Sequence, residues 1–124
     1  MKHVFRSALL LWAIGWMTPL ASADGGIKAS TPEQRAILQT RFMKQHLRLS
    51  DADSAKVQAI NLNYARQMEP VLKSDGSGIA KTVQARRIMA DKDAELRSVL
   101  SQEQFAAYDE AKDNLKAWLE SQLR

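Results

Sequence analysis

Apolar side chains at Val57, Ile60, Tyr64, Met68 and Val71 recur at spacings of 3, 4, 4 and 3, the period of one face of an α-helix. Ser50 opens this stretch as a hydroxyl N-cap, and Asp51 and Asp53 suit its positive end. An earlier stretch begins at Thr31-Pro32-Glu33-Gln34 and runs to about Arg48. Thr31 fits the N-cap, Pro32 the first helical position, and Gln34 the far side of a capping box. A third stretch, residues 79 to 99, offers Val83, Ile88, Met89, Leu96 and Val99 to a core. Its exposed side is expected to carry four-residue ion pairs, Arg87 with Asp91 and Asp93 with Arg97. A fourth runs from Ser101 nearly to Arg124, with Phe105, Tyr108, Leu115, Trp118, Leu119 and Leu123 on its apolar side.

The punctuation between stretches is equally clear. Ser74-Asp75-Gly76-Ser77-Gly78 ends the second, because two glycines permit a turn and nothing there is apolar enough to bury. Pro70 interrupts the second stripe, where it removes one backbone bond and crowds the carbonyl of Arg66. The apolar spacing continues to Val71, so a kink is expected rather than an end. No stretch alternates with the strand period. The pattern predicts an all-α, four-helix hairpin-type domain over residues 31–124. Helices of about 24 residues are about 36 Å long, so four of them built from so short a chain make a thin object. A face left uncovered would pair with a second copy or bind a partner.

The N-terminus follows a different logic. Lys2 and Arg6 precede an apolar run over residues 8–17, and Ala21-Ser22-Ala23 follows. Charged start, apolar middle and small-residue end are the three parts of a secretory signal. The run is too short, and too broken by Gly15 and Pro19, for a span of about 20 residues. Cleavage is expected after Ala23, leaving a flexible leader over residues 24–30, the helical domain, and no membrane span. Losing Lys2 and Arg6 leaves 16 of the 18 basic residues against all 14 acidic ones. That balance is too mild for nucleic-acid binding, which leaves a strong basic footprint. An exported chain could use disulfides, yet this one has no cysteine. Stability must come from helix packing alone.

Two short segments share a plan: Leu49-Ser50-Asp51-Ala52-Asp53 and Leu100-Ser101-Gln102-Glu103-Gln104. In each, a leucine precedes a hydroxyl N-cap and a polar acceptor follows three residues later. In the second, Ser101 and Gln104 can form a capping box while Leu100 packs on Phe105 as a hydrophobic staple. Paired at helix starts behind a signal peptide, these segments resemble the Leu-Thr-x-x-Gln motifs of the periplasmic Spy/CpxP family. Ser101 replaces the threonine conservatively, whereas Asp53 stands where glutamine is expected. The resemblance covers about residues 31–115. It implies a helical-hairpin fold, usually a cradle-shaped homodimer, located in the bacterial periplasm. It also implies one of three roles: ATP-independent chaperone for unfolded envelope proteins, inhibitory ligand of a membrane sensor kinase's periplasmic domain, or metal tolerance.

Catalytic machinery is not expected. His46 is the one histidine left after signal removal and lies among Arg41, Lys44 and Arg48, so a nucleophilic triad would depend on it alone. Asp91, Asp93 and Glu95 suggest a calcium loop, but Leu96 stands where glycine is needed and Gln102 where glutamate is needed. No cofactor or metal ligand set emerges. The strongest candidates are binding residues: Arg41, Lys44 and Arg48 with Met43 and Leu47 beside them, and Arg86 and Arg87 with Met89. Basic side chains steer acidic or unfolded partners, and flexible methionines accommodate varied apolar groups.

Overall fold

The computed structural model describes residues 26–74 and 78–124. The expected signal peptide, its cleavage point and residues 75–77 of the turn lie outside them. Among the described residues there are five helices and no strand: α1 (Gly26–Ala29), α2 (Pro32–Leu47), α3 (Asp51–Lys73), α4 (Ile79–Val99) and α5 (Gln102–Leu123). The four long helices match the four expected stretches, and the fold is all-α.

Cross-helix contacts give the path. Thr40 meets Asn61 while Arg35 meets Ala65 and Glu69, so α2 and α3 run antiparallel. Tyr64 reaches Glu95 while Val71 shares a cluster with Ile88, so α4 turns back along α3. Asp93 contacts Tyr108 and Lys112, so α5 reverses again. The order is up-down-up-down, with α5 returning against α2 as well as α4. The main core gathers residues from all four long helices and both Leu-Ser junctions. It contains Phe42, Met43, Leu47, Leu49, Val57, Leu96, Leu100, Tyr108 and Leu115. A smaller cluster of Tyr64, Val71 and Ile88 lies toward the turn between α3 and α4. Both clusters fall within residues 26–124.

The helix starts follow from local chemistry. Thr31 and Gln34 form the expected reciprocal box, as do Ser101 and Gln104. Ser50 accepts from the Asp53 amide without a return bond, because a carboxylate one methylene shorter replaces the glutamine. Gln104 has a further role. Its Oε1 accepts from the Ser101 amide at 3.0 Å and its Nε2 donates to the Leu47 carbonyl at 3.3 Å. That carbonyl belongs to the last turn of α2, where no intrahelical donor remains. One side chain thus caps the start of α5 and the end of α2.

Three expectations are corrected. The leader is ordered from Gly26: α1 packs against α5, and Ser30 is buried. The cause is Arg35, 3% exposed, whose guanidinium donates to the Ser30 carbonyl, the Ser30 hydroxyl, the Ile27 carbonyl, the Ala65 carbonyl and Glu69. Burial pushes the Glu69 carboxyl up, but hydrogen bonds from Arg35 and Lys73 outweigh this and hold it below its ordinary value. Second, Val83 is half exposed instead of in the core, since none of the described residues packs on that side of α4. Third, neither expected ion pair of α4 forms: Arg87 and Asp91 stand more than 4.0 Å apart, Asp93 pairs with Lys112 across helices, and Arg97 lies over the Phe105 ring at 4.5 Å. Cross-helix partners displace the local pairing. Pro70 sits inside α3, which is continuous from Asp51 to Lys73.

Lys92 is an unusual core residue. Only 3% exposed, it gives its ammonium group the neutral Gln39 Oε1 at 2.9 Å. Burial lowers its pKa to about 8, against a weaker raising influence from Asp93 and with a further lowering from Lys112.

Two predictions follow from these contacts. Gln104→Ala loses both bonds and is expected to cost about 1–2 kcal/mol. Gln104→Glu keeps the capping box but cannot donate to Leu47, and should fall between alanine and the parent in urea unfolding. Parent-like stability of the glutamate variant would show that the Leu47 bond contributes nothing. For Lys92, the folded chain releases the proton near pH 8 and the unfolded chain near 10.5, so the unfolded state binds more protons between these values. Stability therefore rises with pH above about 8. The gain is readable only below about pH 10, because Tyr64, held up to about 12 by its hydrogen bond to Glu95 and by burial, acts in the opposite sense above that. Lys92→Met should flatten the rise in urea midpoints between about pH 8 and 9.5; an unchanged slope would refute this assignment.

Candidate functional site

The sequence grouped Arg41, Met43, Lys44, Leu47 and Arg48 as one mixed surface on α2. The structure divides them. Met43 is 1% exposed and Leu47 6%, both in the main core, and neither is available to a partner. The reason is rotational: Met43 and Leu47 lie one turn apart on the side of α2 that meets α3 and α5, whereas Arg41, Lys44 and Arg48 face solvent. The apolar member of the exposed stripe is Ile37, about half exposed and one turn before Arg41. Ile37, Arg41 and Lys44 fall within an arc of about 60° at 100° per residue. Spacing alone could have found Ile37, since it stands four residues before Arg41 on the stripe that carries the basic residues.

The three basic residues differ in freedom. Lys44 Nζ lies 2.7 Å from Asp51 Oδ1 across the junction with α3. This hydrogen bond, with the attraction of the ammonium charge, holds the Asp51 carboxyl below its ordinary value. Arg41 and Arg48 have no carboxylate within 4.0 Å among the described residues. Arg48 also ends α2 in the left-handed conformation, φ 53° and ψ 51°, the one non-glycine residue among those described with a positive φ. Glycine commonly takes this place, because a Cβ there crowds the following carbonyl.

Arg86 and Arg87 are exposed on α4 and Met89 is 37% exposed, so this second group remains a surface. It does not join the first. The contact between Gln39 and Lys92 sets the register of α2 against α4. Arg41 to Arg48 continue from it toward one end of the bundle, while Arg86 and Arg87 lie toward the other. Lys44 and Arg87 are thereby about 15 Å apart along the helix axes. The chain presents two basic surfaces, not one.

The motif residues are structural. Leu49 and Leu100 are buried together in the main core, Ser50 and Ser101 cap, Gln104 bridges, and Phe105 packs beside Leu100. His46 stacks on Phe42 with ring centroids 3.8 Å apart, and its Nδ1 lies 3.0 Å from the Phe42 carbonyl oxygen. Among the described residues no three His, Asp or Glu side chains converge on a point that could hold a metal ion, and no helix is long and apolar enough to cross a membrane.

Bundle and surfaces together define an all-α helical protein whose polar features are caps, interior bridges and exposed basic stripes. The chain belongs to the family described as "Domain of unknown function (DUF4890)", which it matches over residues 21–108. The matched span contains α1 to α4 and both Leu-Ser junctions, and ends at Tyr108, the residue that joins α5 to Asp93. Comparison with curated proteins and with solved structures finds no match.

The conformation at residue 48 gives a test. Arg48→Gly relieves the left-handed strain, and should raise stability by about 0.5–1 kcal/mol. Arg48→Ala removes the same charge without that relief, and should not. Equal midpoints for the two variants in urea would show that the backbone at residue 48 stores no strain.

Proposed function

We propose that this chain is a non-enzymatic binding protein of the cell envelope, of the Spy/CpxP type, that shields partly unfolded clients through weak contacts. The observation that carries the reading is the exposed stripe Ile37, Arg41, Lys44 and Arg48 on α2. Both of its guanidinium groups lack carboxylate partners among the described residues, and an aliphatic side chain stands in line with them. Long basic side chains combine a charge that attracts acidic segments with methylene stems that cover apolar ones. Such contacts do not require a defined client sequence. The paired Leu-Ser junctions, with Gln104 completing the second, support placement near the Spy/CpxP group. The predicted signal peptide supports the periplasm as the site of action.

The test is aggregation of two unrelated unfolding clients in the presence of the protein over residues 24–124. Suppression of both at near-stoichiometric amounts is expected, weaker at higher salt because exposed charges are screened. Arg41→Glu combined with Arg48→Glu should reduce suppression severalfold while leaving the helical circular dichroism unchanged. Absence of suppression for either client would sink the chaperone reading. It would favour a single dedicated partner, such as the periplasmic domain of a sensor kinase.

A further inference from the structure

The N-terminal half of α4 is amphipathic twice over. Its inward side carries Ala85, Ile88 and Lys92 against α3 and α2. Its outward side carries Ile79, 83% exposed, and Val83, 50% exposed, in line with Ala90 and flanked by Arg86 and Arg87. These five outward residues occupy an arc of about 100° at 100° per residue. No acidic residue occurs between Ile79 and Ala90, whereas Lys81, Arg86 and Arg87 do. Neither Arg86 nor Arg87 has a carboxylate within 4.0 Å among the described residues. Lys73, at the facing end of α3, pairs with Glu69.

Shape and charge together narrow the occupant. Among the described residues the smaller core cluster reaches only as far as Val71 and Ala85. The solvent side of a single helix is convex, so Ile79 and Val83 stand out from α4 and do not line a groove for an extended chain. Apolar tips flanked by unpaired basic side chains match an anionic lipid surface. The aliphatic groups enter the interfacial region, and the arginines reach phosphate oxygens while their stems cover acyl chain. We infer that the N-terminal half of α4 docks this protein on anionic membrane surfaces through Ile79, Val83, Arg86 and Arg87. With so few basic residues at the surface, attachment is weak, reversible and salt-sensitive. The inference does not rest on chaperone activity, which was assigned to the exposed stripe of α2.

Co-sedimentation with vesicles tests it, using the protein over residues 24–124, which contains the whole described core and lacks the apolar N-terminal run. Vesicles of phosphatidylcholine with roughly one-third phosphatidylglycerol should bind the protein at least tenfold better than phosphatidylcholine alone, with the difference lost at high salt. Arg86→Glu with Arg87→Glu should remove that preference. Ile79→Ser with Val83→Ser should weaken binding severalfold without removing its salt dependence. Arg41→Glu with Arg48→Glu should change it far less, which separates this surface from the α2 stripe. All these side chains are exposed, and matching thermal midpoints would establish that the variants are folded. Three results would overturn the inference. One is no preference for anionic vesicles, and another is equal losses from the α2 and α4 charge reversals. The third is binding of soluble poly-glutamate without binding of vesicles, which would assign this surface to an acidic protein.

Discussion

The fold depends on the meeting of its two Leu-Ser junctions. Leu49 and Leu100 enter the same core from opposite sequence contexts, and Gln104 ties the start of α5 to the last turn of α2. A chain without cysteine, with about 100 residues in its helical part, has few ways to order four long helices. Hydrophobic burial alone favours compaction without choosing a register. Here the two reversals that flank the main core are placed by named contacts: a leucine inward, a hydroxyl on the helix start, and one amide side chain answering both helix ends. The glutamine amide suits this position because it carries an acceptor and a donor together.

The interior is more polar than its size would suggest, and the polar contacts lie between helices. Arg35 joins α2 to the segment before it and to α3; Asn61 donates to Thr40; Lys92 reaches Gln39; Asp93 gathers Tyr108 and Lys112. Each specifies which residues lie opposite, a choice that aliphatic packing leaves open. The cost is desolvation. Lys92 loses much of its hold on its proton, and the Asn61 Oδ1 and Ser54 Oγ atoms are buried without partners among the described residues. Buried charge is weak evidence for stability. Arg35 is the better-compensated case, because five acceptors surround its guanidinium, one of them a carboxylate.

Much of this architecture was legible along the chain. The stripe from Val57 to Val71 and the boxes at Thr31 and Ser101 are local signals, and local signals survive folding with little change. The errors arose where tertiary contacts decide. Met43 and Leu47 belong to the same short basic run as Lys44, yet their side of α2 meets two other helices. Asp93 and Arg97 have the spacing of a surface pair, but Tyr108 and Lys112 on α5 lie closer to the carboxylate than the arginine four residues on. Nothing along the chain marks Lys92 or Arg35 as buried, since no periodicity reveals an acceptor that arrives from another helix. Ile37 was overlooked although it stands in line with the basic residues, because an aliphatic residue in an amphipathic helix is ordinarily assigned to the core.

The near balance of acidic and basic residues conceals their arrangement. The solvent side of α2 carries Arg41 and Arg48, and that of α4 carries Arg86 and Arg87, while α5 exposes Glu103, Asp109, Glu110 and Asp113. Exposed charges interact over roughly a Debye length, about 8–10 Å at physiological salt. Along the helix axes Arg41 and Arg87 are about 10 Å apart and Lys44 and Arg87 about 15 Å, a Debye length or more, so the two basic surfaces act largely as separate fields. The interior bridges make this separation durable. Lys92 with Gln39 and Asp93 with Lys112 hold α4 against α2 and α5, so the spacing of the two surfaces is a property of the packed core, not of flexible side chains. A partner large enough to touch both would meet a rigid spacing, whereas a single peptide segment or lipid headgroup meets one at a time.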